Sequence, residues 1–302
     1  MNIDLDETRK GKKNPTAWTF ATDTTISPDK DTEYPIELVS PVFHFRHGEL
    51  FHETNDSCGT HVHVSPSNEY TSAQIKAVAR AAIYFEPAIN ALVPSHRLGN
   101  EFCKTFFASN EHFKDKTVEQ AIAMVDGVGE THKAIIELMN PPGRLSEPNR
   151  FYAWNFANLV DNGILTIEFR QAEGVTTPDG ALAWAEFVVT FIGAAVTEAT
   201  SYNNLKKYTP NVHGLKAFLG HGLVSDGKNK SLLGVIMGRA KDSASVSGSQ
   251  PGKLSKERED RLAKKRKGDD RKQIFVKKVI EDEKMRKKSV EEAGKLSKKE
   301  EM

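Results

Sequence analysis

The chain has 302 residues, enough for one large domain or two small ones, and a modest hydrophobic fraction of 38%. Its net charge of +1 hides a division: residues from Lys241 onward hold 20 Lys/Arg against 13 Asp/Glu, and those before it hold 22 against 28. An acidic globular part therefore precedes a basic tail, two cysteines exclude a disulfide framework, and the charge of the first part argues against nucleic acid as its partner.

The N-terminus lacks a basic start followed by an apolar run, so no secretory leader is expected and the predicted location is cytoplasmic, with reduced thiols. Two strands are predicted first, at 17–20 and 34–39, separated by a polar turn region. A third, Thr60-His61-Val62-His63-Val64, has alternating character. Ser72 is the expected cap of a helix over 73–92, kinked at Pro87. Thr117-Val118-Glu119-Gln120 is a capping-box pattern that opens a helix running to about Met139, and Pro141-Pro142-Gly143 stops it. Strands over 151–160 and 164–171 flank Asn162-Gly163, which predicts a two-residue type I′ hairpin. Pro178 begins a helix over 179–200, apolar nearly all round and hence a core helix. Glu186 interrupts its most apolar stretch, which is short for a membrane span, so no membrane is expected. Ser243–Gly252 reads as a flexible linker before a Lys/Glu-rich tail, giving a domain over 1–240 and a linker and tail over 241–302. Lys264-Lys265-Arg266-Lys267 is a candidate nuclear-import signal, set against the plainer reading of a solvated, solubilising tail. Strands, then helices, then a hairpin predict an α+β fold with a largely antiparallel sheet and helices on one face.

Three groups of residues carry candidate chemistry. In a strand His61 and His63 share a face, and two imidazoles side by side suit a divalent metal, or a metal and a phosphate oxygen. In Thr166-Ile167-Glu168-Phe169-Arg170 a carboxylate and a guanidinium share a face. The two-residue turn sets Ala157 opposite Glu168, Asn155 opposite Arg170, and Phe156 with Phe169 on the other side. Glu37 lies between apolar neighbours in Ile36-Glu37-Leu38, as any half-solvated strand allows. Each of the first two groups alone is equally compatible with an ordinary sheet surface, and for Glu37 that plainer reading is the stronger, its interest coming only from the company of the other two. No Gly-x4-Gly-Lys-Ser/Thr loop is present, so nucleotide binding would need another device.

Taken in order, these motifs resemble a known family. Gly59-x-His61-x-His63-x-Ser65 is similar to a strand of glutamine synthetases, and Glu168-x-Arg170 to one they share with glutamate–cysteine ligases. The closer resemblance is to the amidoligase family, through Trp18-x4-Asp23 with Ile26, Ile36 to Pro41, His61 to Val64, Ser95-His96-Arg97, Arg150-x4-Asn155 and Thr166 to Arg170. The resemblance implies a glutamine synthetase-like fold and an ATP-dependent carboxylate–amine ligase working through an acyl phosphate. It implies ATP and Mg²⁺ (or Mn²⁺) as cofactors, and small-molecule or peptide carboxylates and amines as partners. By motif position Glu37, His61 and Glu168 would be metal ligands, and His63, Arg170 and Asn155 would contact the nucleotide. Arg170, with Arg97 and Arg150, would neutralise the transferring phosphoryl group. The loop-rich stretch 99–116 is a candidate lid. Members of the family typically begin with a Glu-x-Glu strand. Here the residues before Trp18 are polar, holding Asp4-Leu5-Asp6-Glu7, and that first strand is expected to be missing through truncation or divergence. The competing readings are a zinc hydrolase built on His61, His63 and Glu168, and a non-catalytic protein derived from a ligase.

Overall fold

The computed structural model describes residues 58–142, 148–160, 165–222 and 231–239 in full, and the backbone of 3–5, 18–22 and 36–39. The chain divides into units Met1–Gly252 and Lys253–Met302. The Ser243–Gly252 linker, the Lys264–Lys267 cluster and the Asn162-Gly163 turn lie outside the described residues.

Strand β1 (Ile3–Leu5) pairs in parallel with β2 (Trp18–Thr22), and β2 pairs antiparallel with β3 (Ile36–Val39). A strand thus forms where the polar N-terminus predicts none: Ile3-Asp4-Leu5 has the apolar–polar alternation a short strand needs. Glu37 is in β3, opposite Ala21 of β2.

After β4 (Gly59–Val64) comes α1 (Ser72–Tyr84), capped by Thr71 rather than Ser72. The Thr71 hydroxyl accepts from Gln74 N at 3.2 Å, and the Gln74 side chain accepts from Thr71 N at 2.9 Å. The expected kink is a break at Phe85, after which α2 (Glu86–Asn90) carries Pro87 in its first turn, where a missing N–H costs nothing. A 3₁₀ turn at Ser95–Arg97 and the short α3 (Phe106–Ser109) follow. The single helix expected over 117–139 is two, α4 (Val118–Gly127) and α5 (His132–Met139). Gly127 and Gly129 weaken the helix between them, and Thr131 caps the second piece by accepting from Ala134 N at 3.2 Å.

The second sheet has the order β4-β6-β5, with β5 (Trp154–Asn155) and β6 (Ile167–Glu173), all antiparallel. Its register corrects the two-residue hairpin. Asn155, not Ala157, is opposite Glu168, and Trp154, not Phe156, is opposite Phe169. Asn155 Oδ1 accepts from Ala157 N at 2.8 Å, turning the chain into a 3₁₀ turn at Ala157–Leu159, and Leu165 N donates to Asn158 O across the loop. That longer loop displaces the pairing by two residues. Pairing of β4 with β6 shifts between Thr60, opposite Ala172, and Val62, opposite Phe169.

Helix α6 (Pro178–Glu198) packs against α1, β4, α8 (Val212–Leu219) and α9 (Leu233–Met237), with α7 (Tyr202–Leu205) between α6 and α8 in the chain. It is long and apolar enough to cross a membrane by length and composition, but Trp184, Phe187, Phe191 and their neighbours are buried in the core. Their rings join Trp154 and Phe169, with Trp154 and Phe191 stacked at 4.8 Å. The fold is α+β, with one face of the second sheet on this helix layer.

Candidate functional site

The alternation that sends Ile167 and Phe169 into the core leaves Glu168 and Arg170 on the other face of β6. Glu168 sits at the middle strand of three, so both neighbours reach it. His63 is directly opposite it on β4, and Asn155 is opposite it on β5.

The Glu168 carboxylate is buried and densely contacted. Its Oε1 takes Arg170 Nη1 at 2.7 Å and lies 3.3 Å from His61 Nδ1 and 3.4 Å from His63 Nε2. Its Oε2 accepts from Asn155 Nδ2 at 2.7 Å and from Asn158 Nδ2 at 3.2 Å. Burial pushes this carboxyl up. The Arg170 charge, with the two histidines and Asn155, outweighs that and holds it below the ordinary carboxylate value. His61 is lowered as well, to about 3, first by burial and then by Arg170, against the pull of Glu168. At neutral pH the pair is a neutral imidazole beside an anionic carboxylate. That is the protonation state in which both can act as metal ligands.

The remaining residues occupy distinct places. Arg170 also donates from Nε to Phe102 O at 3.3 Å, and its guanidinium lies 5.6 Å from the Phe151 ring. Arg150 is exposed, 5.2 Å from the same ring. His63 is the outermost of the group, with Nδ1 3.0 Å from Thr166 Oγ1. Asn155 is fully buried, its amide engaged with Glu168 and Ala157. Arg97 is buried beside β4 and β6, donating to the carbonyls of Cys58, Arg170 and Gln171. Glu37 belongs to a strand whose side chains lie outside the described residues. The stretch 99–116 is fastened down: Glu86 accepts from Phe106 N at 2.5 Å and Phe107 N at 3.2 Å, and the Asn110 amide donates to Leu138 O and Met139 O. Thr166, inside a recognised motif but given no role by it, contacts His63, and Asn158, Phe102 and Phe151 join the site without being foreseen. Asn158 is concealed by the assumed tight hairpin, Phe151 is an unspecified position of Arg150-x4-Asn155, and the Phe102 carbonyl comes from a loop with no motif.

Two imidazoles and a carboxylate converging on one oxygen are donors of the right type for a divalent ion. Among the described residues no group of three or more His, Cys, Asp or Glu has the arrangement of a metal centre. A bound ion would therefore need further ligands besides these three.

A family model described as "putative amidoligase enzyme" matches residues 4–192, the span that carries β1 through most of α6. The chain belongs to this family. The match begins at Asp4, inside β1, and so includes the strand that the polar N-terminus concealed. No curated protein and no solved structure matches this amidoligase-family chain with significance.

Proposed function

We propose that this amidoligase-family chain is an ATP-dependent carboxylate–amine ligase whose reaction takes place over the Glu168 face of the second sheet. The observation that carries the reading is the convergence of His61, His63 and Arg170 on one buried carboxylate, in a chain matched by the amidoligase family model.

In such a reaction a carboxylate oxygen of the first substrate attacks the γ-phosphorus of ATP, the bond to the β-phosphate oxygen breaks, and ADP leaves. The second substrate's amine then attacks the carbonyl carbon of the acyl phosphate. Phosphate departs with the electron pair of the C–O bond, and the nitrogen loses a proton to give the amide. A divalent Mg²⁺ or Mn²⁺ ion held by His61 and Glu168, with Glu37 as a further carboxylate, would screen the phosphate oxygens.

The chain's own residues supply positioning and charge. Arg170 is fixed at Glu168 and Phe102 O, so its cation is held in place before substrate arrives. His63, at the rim, would turn a ring N–H from Thr166 or Glu168 toward a phosphate oxygen, and Arg150 adds a second cation at the exposed edge beside Phe151. Asn155 and Asn158 hold the Glu168 carboxylate from behind, leaving its His61 side to face the ligand. The substrates are a small-molecule or peptide carboxylate and an amine.

A thermal-shift titration with Mg²⁺–ATP tests this on the whole chain. A saturable rise in Tm is expected, lost in His61→Ala and Glu168→Ala. Glu168→Gln, which keeps an amide acceptor for Arg170, serves if the alanine variant does not fold. A folded protein whose Tm is unmoved by nucleotide with either Mg²⁺ or Mn²⁺ would overturn the reading.

A further inference from the structure

We propose that Arg97 is a positioning residue for this site: its guanidinium clamps a β-bulge in β6, and Gly59 is a glycine so that the clamp can fit. The inference uses the ligase reading for what the site binds; the geometry stands without it.

The bulge follows from the register. Thr60 faces Ala172 and Val62 faces Phe169, so the single residue His61 on β4 is opposite two residues, Arg170 and Gln171, on β6. A bulge takes carbonyls out of the regular ladder, and a buried carbonyl needs a donor. Arg97 supplies it. Its Nη2 donates to Arg170 O at 2.8 Å and its Nε to Gln171 O at 3.2 Å, the two bulged residues themselves. The third nitrogen, Nη1, donates to Cys58 O at 3.2 Å, at the start of β4. One rigid fork thus spans both strands on either side of His61. A lysine, with a single flexible ammonium, cannot reproduce three fixed directions.

The space for this fork is made by Gly59. A Cβ there would stand 2.6 Å from Arg97 Nη2 and 3.2 Å from its central carbon. The fork is 2% exposed and tied at three points, so it cannot swing aside freely. The Ser95–Arg97 turn that carries it is held in its turn by Cys103 Sγ donating to Arg97 O at 3.4 Å.

What the clamp controls is the aim of three side chains. A bulge re-aims the residues beside it. Here it lets Arg170 lean back onto Glu168 while His61 comes to the same carboxylate oxygen. With the bulge relaxed to a regular pair, Arg170 and Gln171 would shift against β4, and the His61–Glu168 approach would open. Arg97 acts through His61, Glu168 and Arg170 and touches no phosphate.

The test uses the full chain with Arg97→Lys and Gly59→Ala, and Arg80→Lys as a control that alters contacts away from the site, those of Arg80 with Asp126 and with Ala199 O. Two readouts are taken: the imidazole ring signals by NMR, and the Kd for Mn²⁺–ATP and Mn²⁺–ADP by calorimetry. Both variants are expected to shift the His61 ring signals while leaving His213 and His221 in place. Both should weaken Mn²⁺–ATP and Mn²⁺–ADP alike, by about tenfold or more, as loss of an outer-shell partner does. The control should match wild type. Unmoved His61 signals in folded variants would overturn the proposal. So would Arg97→Lys weakening ATP more than ADP while Gly59→Ala binds normally, which is the pattern of a direct phosphate contact. If neither variant folds, Arg97 is a general structural arginine and the positioning role is lost. If wild type binds no nucleotide, the ligase reading fails by itself, and the ring signals alone decide the clamp.

Discussion

Glu168 is held by donors of unequal worth, and the inequality is measurable. Asn155 is fully buried and 2.7 Å from Oε2, whereas Asn158 is partly exposed and 3.2 Å away. Asn155→Ala leaves a buried anionic oxygen short of a donor and should cost about 2 kcal/mol, while Asn158→Ala, which water can replace, should cost under about 1 kcal/mol. Urea denaturation of the two variants checks the ranking, and equal losses would refute it. The company of His61, His63, Glu168 and Arg170 was legible before any coordinates, because residues two apart in a strand share a face and the family motifs supply the types. Two features were hidden. Asn155 pairs with Glu168 rather than Arg170 because its own side chain ends the strand and starts a 3₁₀ turn. Arg97 binds backbone carbonyls because a bulge, which leaves no mark in residue pattern, put them within reach.

At the scale of elements, the helix starts are the best-specified features. Thr71–Gln74 and Thr117–Gln120 both close reciprocal capping boxes, the second at the position its sequence pattern indicates. Thr117→Ala and Thr71→Ala should each cost about 1 kcal/mol, read as a lower denaturation midpoint at unchanged slope. A loss confined to one of the two would show that the other's helix is held by packing alone. The first helix begins one residue earlier than Ser72 suggests because Thr71, with extended backbone, is placed to receive the Gln74 amide, and Ser72 Oγ bonds to Glu130 O instead. The break between α4 and α5 follows the two glycines and the second cap at Thr131, signals present in the sequence but outweighed by the apolar periodicity on either side. β5 is short for a different reason: the loop after it closes at Asn158–Leu165, and Leu165 takes a left-handed conformation with φ 54° that an apolar branched residue gives no cause to expect.

Across the whole fold, the site and the core meet at one buried acid. Glu86 opens α2 and accepts two amide hydrogen bonds from α3, fastening the stretch whose Phe102 carbonyl receives Arg170. Burial pushes the Glu86 carboxyl from its ordinary 4.5 up to about 7, against the opposing effect of the two amides. Between these values the folded chain holds a proton that the unfolded chain has released. The contribution of Glu86 to stability is therefore complete below pH 4.5 and lost as pH rises through 7, a few kcal/mol in all at about 1.4 kcal/mol per pH unit. His61 acts in the opposite sense. Its imidazole, held near 3 in the fold but at 6.5 when unfolded, destabilises the structure as pH falls from 6.5 toward 3. The two slopes overlap between about pH 4.5 and 6.5, so wild-type Tm alone would mix them. Glu86→Gln separates them: it removes the Glu86 slope and keeps that of His61. The difference in Tm between wild type and Glu86→Gln should move in favour of the variant from pH 5 to about 7 and then level off toward pH 8. If the two curves run parallel across that range, Glu86 is ionised in the fold. Its carboxylate is then held by the two α3 amides more strongly than burial resists it.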